Sequence, residues 1–218
     1  MKAKIDIPYF NTFLSNLRNA LSKPLPGALA HHKMSPPNRP IEHRIPKEGD
    51  NIRESAVLIL LWKNEDQIFT VFILRPEYDG VHSNQIAFPG GKYEKNDNDF
   101  VATALREAQE EVGIIPETIS ILGQLTPLYI PPSKFIVYPI VGYTTTTPTF
   151  IPDPIEIQEV IPYNLFCFLN PDSLVIHDIE VENRILPEIP CYKIKDKYIW
   201  GATAMIFSEL LEVIESIV

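Results

Sequence analysis

Cysteine is scarce in this chain. Two residues, Cys167 and Cys191, stand among 218, too few for the disulfide framework that staples small secreted domains. Cys167, between Phe166 and Phe168, is expected to be a buried thiol. Long apolar runs are also missing. The longest, Ala56 to Trp62, falls far short of the roughly 20 residues that span a bilayer. The N-terminus, MKAKIDIPYF, reaches Asp6 before any stretch resembling the apolar core of a signal peptide. The expectation is a cytoplasmic protein with no membrane partner. Positive charge is in deficit, with 19 Lys plus Arg against 28 Asp plus Glu and a net charge of −9. Such a chain has no general attraction for nucleic acid, and it would take a polyanion only through a local basic cluster or bound metal ions.

What remains is an ordinary globular composition, 45% hydrophobic and 22% charged, which excludes disorder throughout. The length fits one large domain, or one domain with a decorated terminus. Residues 7 to 22 carry Phe10, Phe13, Leu14, Leu17 and Leu21 on one helical stripe. Residues 23 to 50 are punctuated by Pro24, Pro26, Gly27, Pro36, Pro37, Pro40 and Pro46, and read as an extended arm. The His31-His32 pair in that arm is expected to face solvent. Residues 55 to 63 and Gln67 to Arg75 read as two strands of a hairpin, and Ile119 to Leu125 and Phe135 to Tyr143 as further strands. Leu165 to Phe168 suits a short helix, Glu180 to Pro190 turn-rich β structure, and Gly201 to Val218 a C-terminal helix. His177 is expected to be structural. Strands in the middle flanked by helices predict an α/β or α+β fold with a mixed sheet.

The chemistry is concentrated between Phe88 and Gly113, FPGGKYEKNDNDFVATALREAQEEVG. Val101, Leu105, Ala108 and Val112 make one apolar helix face, and Arg106, Glu107, Glu110 and Glu111 fall off it. Glu107 lies three residues from Glu110 and four from Glu111, so the three carboxylates are expected side by side on one surface. Like charges at that spacing repel, and Mg²⁺ or Mn²⁺, which take oxygen ligands, would offset the repulsion. Arg106 can hold a neighbouring carboxylate by its fork. Before the helix, Gly90-Gly91 lets a backbone carbonyl approach a metal or phosphate closely, Lys92 adds a positive charge, and Asp97 and Asp99 suit a helix start.

Gly91, Asp97, Arg106, Glu107, Glu110, Glu111 and Gly113 resemble the Nudix box, whose pattern is Gly, five residues, Glu, seven residues, then Arg-Glu-hydrophobic-any-Glu-Glu-any-Gly-hydrophobic. Arg106 to Ile114 fits without a gap. Asp97 stands where the family has its first Glu, and eight residues instead of seven separate it from Arg106. Leu74-Arg75 and Gln85 to Gly91 resemble the signature of the coenzyme A pyrophosphatase branch. The extra residue in the box, Tyr138 to Gly142, Glu156 with Glu159, and Ile199 to Ala204 are similar to that branch as well. The resemblance spans roughly residues 50 to 215. The branch often has Ser and a second Arg where this chain has Pro76 and Gly80, so its basic pocket for a 3′-phosphate is not evident; Lys92, Arg44 and Arg53 are the substitutes the sequence offers.

The resemblance implies a Nudix α/β/α sandwich over residues 51–218, preceded by the added helix and arm at 1–50, which would cover the core or make a homodimer contact. It implies a hydrolase that cleaves the diphosphate of coenzyme A or an acyl-coenzyme A to 3′,5′-ADP and a 4′-phosphopantetheine with Mg²⁺ or Mn²⁺. Glu107, Glu110, Glu111 and the Gly91 carbonyl would hold the metal. Arg106 would orient carboxylates, and the base would be Glu107, or Glu156 or Glu159 outside the box. Arg75, His82, Gly90 and Lys92 would meet the substrate. Two other readings stay open: hydrolysis of another nucleoside diphosphate linked to a moiety X, such as ADP-ribose or a dinucleotide, and a non-catalytic module that senses a nucleotide.

Overall fold

A computed structural model describes residues 7–37, 45–47, 49–76, 85–181 and 184–218. The continuous apolar run at Ala56 becomes β1 (Arg53–Asn64), turns at 65–66, and returns as β2 (Gln67–Leu74), antiparallel to it. β7 (Phe135–Thr144) runs parallel to β1 over ten residue pairs. β5 (Ser120–Gln124) pairs antiparallel with β7 on its other side. These strands and the shorter β3 (Ile86–Ala87) give the order β3-β2-β1-β7-β5; β4 (Gly90–Lys92) joins β1, β6 (Leu128–Ile130) joins β7, and β8 (Glu159–Asn164) joins β2. The sheet is mixed, as expected.

Helices cover both faces. On one, α3 (Phe100–Val112) buries Ala104, Ala108 and Val112 against Ala56, Leu58, Leu60 and Trp62 of β1. On the other, α1 (Ile7–Leu21) and α4 (Gly201–Glu215) sink into the larger core with Phe72, Phe88 and Phe207. Alternation along β1 sends successive side chains to opposite cores. A separate hairpin of β9 (Leu174–Val181) and β10 (Arg184–Ile194), with β11 (Lys197–Ile199), forms a three-stranded sheet and accounts for the turn-rich β segment.

Three expectations are corrected. The arm is not wholly extended: Ala28–Lys33 forms a short helix, α2, packed on α4. His31 does not face solvent but is 3% exposed, on Glu209 of α4, while His32 is exposed. Cys167 is exposed, because the 3₁₀ turn Leu165–Leu169 points Leu165 and Phe168 inward and Cys167 out; the buried thiol is Cys191, pushed up to about 12 by its apolar surroundings. Among the described residues no helix is long and apolar enough to cross a membrane.

Candidate active site

The site is built where β4 and α3 meet the start of β1. Val57 pairs with Gly90, Ala56 with Gly91, and Pro89 accepts from the Leu58 N–H at 2.8 Å. Gly90 has φ of 153°, and a Cβ there would lie 2.3 to 2.8 Å from the carbonyl oxygen of Ala56 and atoms of Val57, so the backbone is pressed flat on β1 in a way that glycine alone permits. Gly91 is needed for another reason: the space of its missing side chain is occupied by the carboxylate of Glu107.

The chain then turns to α3. Asp99 accepts from Ala102 N–H at 2.8 Å as the N-cap, and Gly113 ends the helix in the left-handed region. Asp97 caps nothing. It is buried and receives the fork of Arg106, Nε to Oδ1 at 2.9 Å and Nη2 to Oδ2 at 3.0 Å, with Thr103 Oγ1 and Glu94 N–H as further donors. Arg106 and these donors hold its carboxyl at about 2. The shorter acid, set one residue further from Arg106 than in the box pattern, thus still reaches its guanidinium. Arg106 also donates to Glu107 at 2.9 Å, to Glu110 at 3.0 Å and to the carbonyl of Lys92 at 3.0 Å.

The carboxylates are not equivalent. Glu110 is largely exposed and leans on Arg106. Glu107 is half-buried, and burial raises its carboxyl despite Arg106, with Glu110 and Glu156 adding repulsion. Glu111 is 1% exposed; burial lifts it to about 7, against Arg75 and the Gly90 N–H that favour its charged form. Its Oε2 accepts from Gly90 N–H at 2.8 Å and its Oε1 from Arg75 Nη2 at 2.7 Å. The expected row of three carboxylates is thus divided between two arginines. Among the described residues no three acidic, His or Cys side chains stand gathered to hold a metal ion. The donor chemistry still fits a hard divalent cation: oxygen ligands only, two of them in carboxylates that burial and mutual repulsion push up.

Other expected residues fall as follows. Glu156 is exposed on the loop before β8 and bears on Glu107 through its charge. Glu159 opens β8, 3.6 Å from Lys197. Lys92 is exposed at the end of β4. Arg53 is committed to the Ser133 carbonyl at 2.6 Å and the face of Phe135. His82, Gly80 and Arg44 lie outside the described residues. Arg75 was missed as a partner of Glu111, for a contact across 36 positions leaves no local signal. A cavity of about 740 Å³ beside Tyr163, Cys167 and Lys193 sits by the opposite end of β1 and contains none of these residues.

Comparison with known proteins gives the following. The NUDIX domain family matches residues 52–185. The chain is 35% identical over 162 residues to an "Uncharacterized Nudix hydrolase NudL" of Pectobacterium atrosepticum, covering 72% of this chain and 81% of that one. It is 37% identical over 166 residues to the protein of the same description from Yersinia enterocolitica, covering 74% and 82%. Among solved structures, the Nudix hydrolase RenU from M. smegmatis superposes with a TM-score of 0.53 at 12% identity, over 76% of this chain and 88% of that one, a likeness of fold.

Proposed function

This chain belongs to the Nudix family and is a pyrophosphohydrolase, and from that premise we propose that it cleaves the diphosphate linkage of coenzyme A or an acyl-coenzyme A. One observation carries the reading. The two halves of the segment that resembles the coenzyme A branch, Leu74-Arg75 and Gln85 to Gly91, are joined in space: Leu74 pairs with Ile86, and Arg75 Nη2 donates to the Gly90 carbonyl at 2.9 Å and to Glu111. The signature and the box therefore close on one buried carboxylate.

Glu107, Glu110, Glu111 and the Gly91 carbonyl would hold Mg²⁺ or Mn²⁺. A bound divalent ion supplies charge neutralisation on the diphosphate and a lowered pKa for water. Arg106 fixes Glu107 and Glu110 relative to Asp97 and the Lys92 carbonyl. Gly90-Gly91 presents a flat backbone to the phosphates, and Lys92 offers a charge beside it. Water adds across one P–O–P bond; its proton goes to Glu107 or Glu156, and the products are 3′,5′-ADP and a 4′-phosphopantetheine. Of the two, exposed Glu156 would take the proton without holding the ion, and Glu107 would do both.

The test is turnover of coenzyme A, ADP-ribose and NADH by purified protein with Mg²⁺, Mn²⁺ or EDTA. Metal-dependent release of 3′,5′-ADP from coenzyme A as the best reaction is the expected result. A preference for ADP-ribose or a dinucleotide would overturn the coenzyme A reading. Glu111→Gln is expected to abolish turnover with its fold intact by circular dichroism. Glu156→Gln is expected to lower kcat roughly 10²-fold or more while Mn²⁺ affinity stays at the wild-type value; a fall in affinity would make Glu156 a ligand instead.

A further inference from the structure

Arg75 has a second possible use, and the geometry decides between them. The resemblance places it in a substrate-binding signature, where it would read a phosphate. In the fold its guanidinium is turned inward, with the side chain 24% exposed against a Glu111 side chain of 1%. Nη2 donates both to the Gly90 carbonyl at 2.9 Å and to Glu111 Oε1 at 2.7 Å, and Gly90 N–H donates to Glu111 Oε2 at 2.8 Å. These contacts form a closed ring: Arg75 to Gly90 C=O, Gly90 N–H to Glu111, Glu111 back to Arg75. The ring is anchored at both ends. Arg75 N–H donates to the Gln85 carbonyl where β2 meets the segment leading to β3, and Gly90 lies flat on β1.

We propose that Arg75 is a positioning residue, which locks the Gly90–Gly91 turn and the Glu111 carboxylate into one rigid unit and does not read the substrate. The inference rests on the reading of Glu111 as a metal ligand. Glu111 leaves α3 near its C-terminal end, and α3 itself fixes only its Cα. Two oxygens held from two directions fix the plane of the carboxylate, and outer contacts of this kind set how a ligand presents its lone pairs. The same guanidinium that aims Glu111 also holds the peptide whose neighbour, Gly91, offers its carbonyl. One side chain therefore sets the relative position of two ligands carried on different elements.

The experiment compares wild type with Arg75→Gln and Arg75→Lys. Mn²⁺ binding is followed by calorimetry without substrate, and kcat and KM are measured for coenzyme A and for dephospho-coenzyme A, which differ by the 3′-phosphate. Arg75→Gln is expected to weaken Mn²⁺ binding on the order of 10–100-fold and to lower kcat by a similar factor. The loss should be equal for the two substrates, with KM little changed. Arg75→Lys, which keeps a donor of the same charge, is expected to recover much of both. A rise in KM confined to coenzyme A, with Mn²⁺ affinity intact, would make Arg75 a reader of the 3′-phosphate and overturn the proposal. Unchanged Mn²⁺ affinity in a folded Arg75→Gln would overturn it as well. Because the Mn²⁺ measurement uses no substrate, it stands even if coenzyme A proves not to be the substrate; that outcome would sink the substrate reading alone.

Discussion

Gly90 and Gly91 are neighbours that resist substitution for different reasons, and the difference is measurable. A Cβ on Gly90 meets backbone, the Ala56 carbonyl and Val57, at a φ of 153°. Backbone cannot step aside cheaply, so Gly90→Ala is expected to cost about 1–3 kcal/mol or more in stability and to lower the melting temperature. A Cβ on Gly91 meets the carboxylate of Glu107, the far end of a flexible side chain. Gly91→Ala is therefore expected to melt near wild type while kcat falls roughly 10²-fold, because a small displacement of a reacting group is enough for that. Equal losses of stability in both variants would show that Glu107 is not free to swing. Asp97 gives a second prediction. Arg106 holds its folded carboxyl at about 2, below the ordinary 3.8. A depressed acid stabilises the fold at pH above its unfolded value, and that contribution is lost as pH falls through the folded value. Asp97→Asn should destabilise by about 1–2 kcal/mol at pH 7, and the gap to wild type in urea unfolding should narrow between pH 4 and pH 2.

Which elements could be read in advance follows from their length and periodicity. β1, β2 and β7 are long apolar runs, and α1, α3 and α4 carry stripes of the helical period, so each announces itself. β3 and β4 span two and three residues, too few to show any period. β8 was hidden by Pro162, which an edge strand tolerates; among the described residues its only neighbour is β2. α2 was hidden in the same way, by the prolines on both sides of its six residues. The site divides along the same line. Arg106 and the three glutamates sit within one helix and are legible from spacing, whereas the Arg75–Glu111 contact depends on where the end of β2 falls relative to α3. α2 also brings in a polar cluster that no spacing suggests. Glu209, fully buried in α4, accepts from Gly27 N–H, Thr126 N–H, Thr126 Oγ1 and His31 Nε2 at 2.6 to 3.1 Å. Burial alone would raise its carboxyl, yet His31, Thr126 and Gly27 together hold it below the usual carboxylate range. The cluster ties the arm, α4 and the segment after β5 to one group. Glu209→Leu leaves Thr126 and Gly27 donors without their acceptor and is expected to cost about 3–5 kcal/mol. His31→Leu removes one donor of four and should cost about 1–3 kcal/mol. The double variant should fall short of the sum, because the lost His31–Glu209 contact is counted twice; strict additivity in urea unfolding would mean that the two do not interact.

At the scale of the whole molecule the proposed catalytic helix, α3, and the N-terminal helix lie on opposite faces of one sheet. α3 covers the face with Ala56 and Leu58, and α1 covers the other with Phe10, Phe13, Leu14, Leu17 and Leu21 buried. One close point of that second contact is Gly123 of β5, where a Cβ would lie 2.9 Å from the Cβ of Leu21. Leu21 Cβ is fixed by the backbone of α1, so a larger residue at 123 has to push the helix off the sheet. Gly123→Val is accordingly a wedge, expected to destabilise by about 1–3 kcal/mol. Its effect on catalysis tests whether the two faces are coupled. The sheet between them is held by ten parallel pairs of β1 with β7, and the ring around Glu111 draws on β4, α3 and Arg75 just past β2, with no member from α1. A continuously paired sheet that separates two packed cores should confine the strain to the side on which it arises. Gly123→Val is therefore expected to lower the melting temperature while kcat and KM, measured well below that temperature, remain at wild-type values. If kcat fell together with stability, the N-terminal helix would be part of what positions the catalytic turn, and the sheet would have to be treated as the element that transmits the displacement.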